Sequence, residues 1–90
     1  MNKQHFELYI KGIVQGVWFR KTCAKVATDL GLCGFVKNMT DGSVLCEVEG
    51  NIESLIDFMA WCEIGPKDAI VEKVLRVQGQ VKNYQEFSIK

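Results

Sequence analysis

The sequence has a single proline, Pro66, a single histidine, His5, and no net charge. One histidine leaves little material for a histidine-rich metal centre or a histidine-based proton shuttle. The four cysteines, Cys23, Cys33, Cys46 and Cys62, contain no Cys-x-x-Cys pair, so a structural zinc site is not expected. Four cysteines could pair in three ways. Cys23 and Cys62 fall on the apolar sides of predicted helices, and small buried hydrophobes in a reducing compartment are the expected state. The eleven basic residues are matched by eleven acidic ones and form no runs. That argues against binding to nucleic acid or to an anionic membrane, which needs clustered positive charge. No apolar stretch reaches membrane-spanning length. Glu7 and Lys11 interrupt any apolar run near the start, so no signal-peptide pattern is present and a cytoplasmic location is expected.

What is present is a compact alternation of elements. Ninety residues, 48% of them hydrophobic, make one domain over 1–90 with one modest core. Phe6, Leu8 and Ile10 alternate with Glu7, Tyr9 and Lys11, which predicts a strand over about 5–12. Phe19, Cys23, Ala27 and Leu30 recur at helical spacing, predicting a helix over about 20–30 that stops at Gly31. Two strands follow, about 34–39 and 43–49, joined through Asp41-Gly42 as a two-residue turn. In the second of them Val44, Cys46 and Val48 alternate with Leu45, Glu47 and Glu49, so one face is expected to be buried. Asn51 is a candidate N-cap for a second helix, with Ile52, Leu55, Ile56, Met59 and Cys62 as its apolar stripe. Gly65-Pro66 ends it. Strands over about 69–77 and 84–89 complete the chain, with a polar, exposed linker at 78–83. The order β-α-β-β-α-β predicts an α+β, ferredoxin-like split β-α-β sandwich. An antiparallel sheet would carry both helices on one face, with the first and third strands central.

The segment Gly12-Ile13-Val14-Gln15-Gly16-Val17-Trp18-Phe19-Arg20 links the first strand to the first helix. First-turn amides of a helix lack backbone partners, and with the helix dipole they attract anions. Gly16 allows positive φ, so the loop can curl its own N–H groups inward. Arg20 stands where loop becomes helix, and its planar fork can close over the same anion. The loop 15–20 reads as a phosphate cradle with one permanent positive charge; the plain alternative is a glycine turn followed by a surface arginine. A second segment, Gly34-Phe35-Val36-Lys37-Asn38-Met39-Thr40-Asp41-Gly42-Ser43-Val44, reads as strand, turn and strand. Asn38 precedes a tight turn, where asparagine is common for backbone reasons.

Taken together, Gly-x-Val-Gln-Gly-Val-x-Phe-Arg and Gly-x-Val-x-Asn-x-x-Asp-Gly-x-Val closely resemble the acylphosphatase family in both residues and spacing. Gly65-Pro66, Ala69-x-Val71-x-x-Val74 and a final strand with Phe87 and Ile89 extend the resemblance over nearly the whole chain. The resemblance implies hydrolysis of the carboxyl–phosphate bond of acyl phosphates, with Arg20 and Asn38 as the catalytic pair. The amides of Gln15, Gly16, Val17, Trp18, Phe19 and Arg20 would hold the phosphoryl oxygens, and Asn38, able to donate and accept at once, would hold the attacking water. A carboxylate leaves readily at neutral pH, and the transition state is loose. Positioning and charge stabilisation can then carry the reaction without metal or cofactor. The implied partners are an acyl phosphate substrate and inorganic phosphate as product and inhibitor. A monomer is expected, with no nucleic-acid or membrane partner.

Other residues have simpler readings. Asp41 is first a turn residue, and Thr40 and Ser43 are hairpin residues. Asn38-Met39-Thr40 matches the glycosylation pattern, which is idle without a signal peptide. Trp18 shapes the pocket mouth, stacks on an acyl group or simply packs; Phe19 continues the helix stripe into the core. A ferredoxin-like RNA-binding module would need exposed sheet aromatics and a basic surround; here only Tyr9 and Phe35 qualify and net charge is zero. A non-catalytic phosphate sensor would need Arg20 but has no evident use for Asn38. The motifs read phosphate and do not name the acyl group, so carbamoyl phosphate remains an open substrate.

Overall fold

A computed structural model describes residues 3–90. The elements follow the expected order, with bounds that shift by a few residues: β1 Lys3–Ile13, α1 Phe19–Asp29, β2 Cys33–Asn38, β3 Val44–Asn51, α2 Ile52–Ile64, β4 Ile70–Gly79 and β5 Phe87–Ile89. The sheet order is β4-β1-β3-β2-β5, which places β1 and β3 inside the sheet. Pairings among β1 to β4 are antiparallel. The short β5 pairs in parallel with β2, so the sheet is mixed at this edge. The chain reaches β5 after crossing the sheet and so enters it running in the direction of β2.

Both helices pack on one face. Leu8, Ile10, Val36, Val44, Cys46 and Val48 meet Phe19, Cys23 and Ala27 of α1 and Leu55, Phe58 and Cys62 of α2, all almost fully buried. The α2 stripe differs from expectation at one point. Phe58 is buried, whereas Ile56 is 56% exposed. Positions 55, 58, 59 and 62 follow helical spacing, and Ile56 lies one residue around from that face. Asn51 caps α2 as expected, accepting from the Ser54 amide at 2.9 Å. Gly31, at φ 76°, ends α1 with Leu32 N–H donating to Ala27 O (2.9 Å) and Gly31 N–H to Thr28 O (3.0 Å). That is the paired closure a left-handed residue permits. All four cysteines are unpaired, and Cys23, Cys46 and Cys62 are buried. Burial pushes the Cys46 and Cys62 thiols well up, so they pack as inert hydrophobes.

The opposite sheet face departs further from the alternation reading. Glu47 and Glu49 are buried along with the apolar face of β3, because the β4–β5 connection lies over them. Glu49 Oε2 accepts from the Lys82 amide (2.8 Å) and Oε1 from the Tyr84 amide (2.7 Å). Glu47 Oε1 accepts from Tyr84 OH (2.9 Å) and Lys82 Nζ (3.1 Å). His5 is fully buried with Nδ1 2.8 Å from Glu49 Oε2. A buried carboxylate is tolerated only when paired in this way.

These contacts make the strap acid-sensitive. Burial pushes the Glu49 carboxyl up but is outweighed by the Lys82 amide, His5 and the Tyr84 amide. Burial likewise raises Glu47 but loses to Tyr84 and Lys82. Both therefore sit below the ordinary carboxylate range when folded. Their stabilisation is full above roughly pH 4.3, the unfolded value, and is lost as pH falls through the lower folded values. Glu49→Ala leaves His5 and two amides without an acceptor. It should cost about 3–5 kcal/mol in denaturant unfolding and flatten the acid limb of the Tm–pH curve. An unchanged limb would show that the strap does not depend on Glu49.

Candidate active site

The site is built where β1 runs into α1 and β2 runs into its turn. Lys11 and Gly12 form a bulge against β4. Gly12 has φ 133°, and a Cβ there would strike the Ile70 carbonyl. Val14 is buried and Gly16 is at φ 74° in open space, so backbone conformation alone calls for glycine at 16. Trp18 then occupies the N-cap of α1 at φ 64°, ψ 19°. A bulky residue in this left-handed region is uncommon and costs about 1–3 kcal/mol.

The N-terminus of α1 is left open. Trp18 makes no side-chain cap and the first turn has no acidic residue. At α2, by contrast, Asn51 caps and Glu53 lies in the first turn. The orphan amides and the positive end of the α1 dipole therefore lack a protein counter-charge. Phe19 fixes this turn: it is 1% exposed and packs on Trp61 with ring centroids 5.4 Å apart. Arg20, the next residue, is half-buried and donates from Nη1 to the Lys90 backbone oxygen at 2.9 Å. Among the described residues it pairs with no Asp or Glu side chain. Its other guanidinium donors can therefore face a ligand.

Gln15 joins the two motifs. Its Nε2 donates to Met39 O (2.7 Å) and to Ser43 O (2.8 Å). One side chain thus clamps the loop to the β2–β3 turn. The turn itself has three residues, 40–42, between the paired Met39 and Ser43, rather than the expected two. Gly42 N–H bonds Met39 O and Met39 N–H bonds Ser43 O, and Gly42 takes φ 92°. Asp41 Oδ1 closes the turn, accepting from the Ser43 amide (2.9 Å) and hydroxyl (2.6 Å). Those bonds, the hydroxyl first, hold the Asp41 carboxyl below its usual value. It is a turn residue, as its sequence context indicated.

Asn38 is the last residue of β2, exposed, and opposite Val44. Side chains two residues apart share a sheet face, so it lies on the helix-bearing face with Val36. The result is a cleft of about 350 Å³ lined by Gly16, Trp18, Phe19, Arg20 and Asn38. Val14, Lys21 and Ile89 complete its wall, and the sequence pattern singles out none of the three for the site. Gln15 and Val17 do not line it: Gln15 braces the turn and Val17 packs against the core. Among the described residues, His5, Glu7 and Glu47 group closely enough to hold a cation. They lie on the opposite sheet face, and Lys82 and Tyr84 already occupy Glu47.

The model of the family "Acylphosphatase" matches residues 6–89. The chain is 41% identical over 88 residues to an acylphosphatase of Synechococcus sp. (strain CC9311), covering 98% of each chain. It superposes on the structure of an acylphosphatase from Coxiella burnetii with TM-score 0.95 at 32% identity, covering 99% of this chain and 94% of that one. For the crystal structure of acylphosphatase from Bacillus subtilis the TM-score is 0.94 at 28% identity, covering 97% and 98%.

Proposed function

The chain belongs to the acylphosphatase family, enzymes that act on acyl phosphates, and from that premise we propose how its own residues divide the work. The observation that carries the reading is the shared cleft. It sets an uncapped helix N-terminus, an arginine with no Asp or Glu side-chain partner among the described residues and an exposed asparagine around one volume. The phosphoryl group sits at the start of α1, held by the backbone of residues 15–20 and by the Arg20 fork. Asn38 accepts a hydrogen bond from water and aims its oxygen at phosphorus, opposite the acyl oxygen. The water oxygen bonds to phosphorus as the bond to the acyl oxygen breaks. The bonding electrons leave on the carboxylate and a water proton passes to solvent. Charge spread over the three phosphoryl oxygens meets preorganised donors. The reaction runs without a metal or organic cofactor, in a monomer of one domain located in the cytoplasm.

Benzoyl phosphate should be hydrolysed at an undiminished rate in excess chelator. Inorganic phosphate should inhibit competitively, because it occupies the same cradle. Phosphate monoesters should be poor substrates, since an alkoxide leaves far less readily than a carboxylate. Activity lost in chelator and restored by a divalent ion would overturn the mechanism.

A further inference from the structure

The catalytic cleft does not end at the phosphate site. A second groove of about 410 Å³, lined by Trp18, Lys21, Thr22 and Lys25, adjoins it along the outer side of α1. Trp18 and Lys21 line both volumes. Trp18 is 70% exposed, where a tryptophan without a role would be expected to pack. It is also held at left-handed φ, the conformation most often retained where function requires it. Lys21 lies over its ring, with Nζ 5.4 Å from the centroid, and among the described residues has no acidic partner. Lys25, one helical turn on, is paired with Asp29 at 2.9 Å. The groove therefore offers an aromatic ring and, against it, an ammonium with no acidic partner among the described residues.

We propose that this groove is the acyl-group subsite, and that it favours acyl phosphates whose acyl body is flat and apolar and whose far end carries an anionic group. The inference rests on the phosphate being held at the α1 N-terminus as described above. With phosphate there, the acyl oxygen leaves toward the cleft mouth, where Trp18 stands. Stacking on Trp18 places the far end of the acyl group against Lys21. An ammonium is a point charge that needs no fixed approach, so it selects charge without selecting one carboxylate or phosphate geometry.

The test compares three substrates: benzoyl phosphate, 4-carboxybenzoyl phosphate and acetyl phosphate. The first two share a ring and differ by one carboxylate. Wild type should prefer 4-carboxybenzoyl phosphate in kcat/KM, and the preference should shrink with added salt. An exposed charge pair contributes modestly. Lys21→Ala should therefore reduce that preference by about three-fold, and Lys21→Glu should reverse it. Trp18→Gly relaxes the backbone while removing the ring. It should lower the ratio of benzoyl to acetyl phosphate kcat/KM by about three- to ten-fold. A general folding defect would depress all substrates alike and leave both ratios unmoved. Ratios unchanged in these variants, with wild-type turnover present, would overturn the subsite alone. Absence of wild-type turnover of all three would instead overturn the reading of the phosphate cradle.

Discussion

Asn38→Ala is expected to lower kcat by about 100- to 1,000-fold, the range seen when one placed transition-state donor is removed, while inhibition by inorganic phosphate stays near wild type. The separation follows from the geometry. In the proposed mechanism phosphate is held by the α1 N-terminus and Arg20, not by Asn38, which lines the same cleft from the end of β2. The turn that carries Asn38 is closed by Asp41 on Ser43 and by Gln15 on Met39 and Ser43. None of these contacts passes through the Asn38 side chain. The loss should appear equally in kcat and kcat/KM, which marks an interaction made only in the transition state. Steady-state kinetics and Tm on one preparation check it. A destabilised variant with full turnover per folded molecule would reduce Asn38 to a turn residue.

Arg20→Lys should be nearly as damaging, and differently so. Lysine retains the charge and loses the planar fork with its paired donors. A hydrogen bond to a charged group contributes about 1.5–3 kcal/mol, which corresponds to about 10- to 160-fold at 1.36 kcal/mol per decade. Both phosphate affinity and kcat/KM should fall by that order, in contrast to Asn38→Ala, which spares binding. The bond from Arg20 to Lys90 O also holds the guanidinium at the end of β5, and a shorter donor cannot keep that position and reach phosphate as well. Phosphate inhibition and turnover both near wild type in this variant would remove Arg20 from the site.

What the sequence disclosed divides by range of interaction. The α1 stripe, the Asn51 cap and the Gly31 stop depend on residues within one or two turns, and each stands where periodicity and cap chemistry placed it. The loop and Asn38 stand out in the sequence because the two motifs share residue types and spacing with a known family, and the fold brings both to one cleft. Gln15 was read as part of the phosphate cradle. Besides that backbone role, its amide side chain spans 24 and 28 residues to hold the second motif, a contact that no local pattern encodes. The burial of Glu47 and Glu49 was hidden for the same reason. Alternation reports which face of β3 is apolar, but whether a distant strap covers the other depends on residues 82 and 84. His5 has no local partner because its partner is Glu49, across the sheet. The parallel pairing of β5 depends on that same crossing strap. Trp18 could be read either as core or as pocket mouth, and exposure decides for the mouth.

In the proposed mechanism water attacks phosphorus while Arg20 and the loop hold the phosphoryl group. Hydrolysis of benzoyl phosphate in ¹⁸O-enriched water reads that step directly, since the label marks the atom that was attacked. Attack on phosphorus places the label in inorganic phosphate and none in benzoate, and this is the predicted result. Label recovered in benzoate would mean that water attacked the acyl carbon and that Asn38 does not aim it at phosphorus.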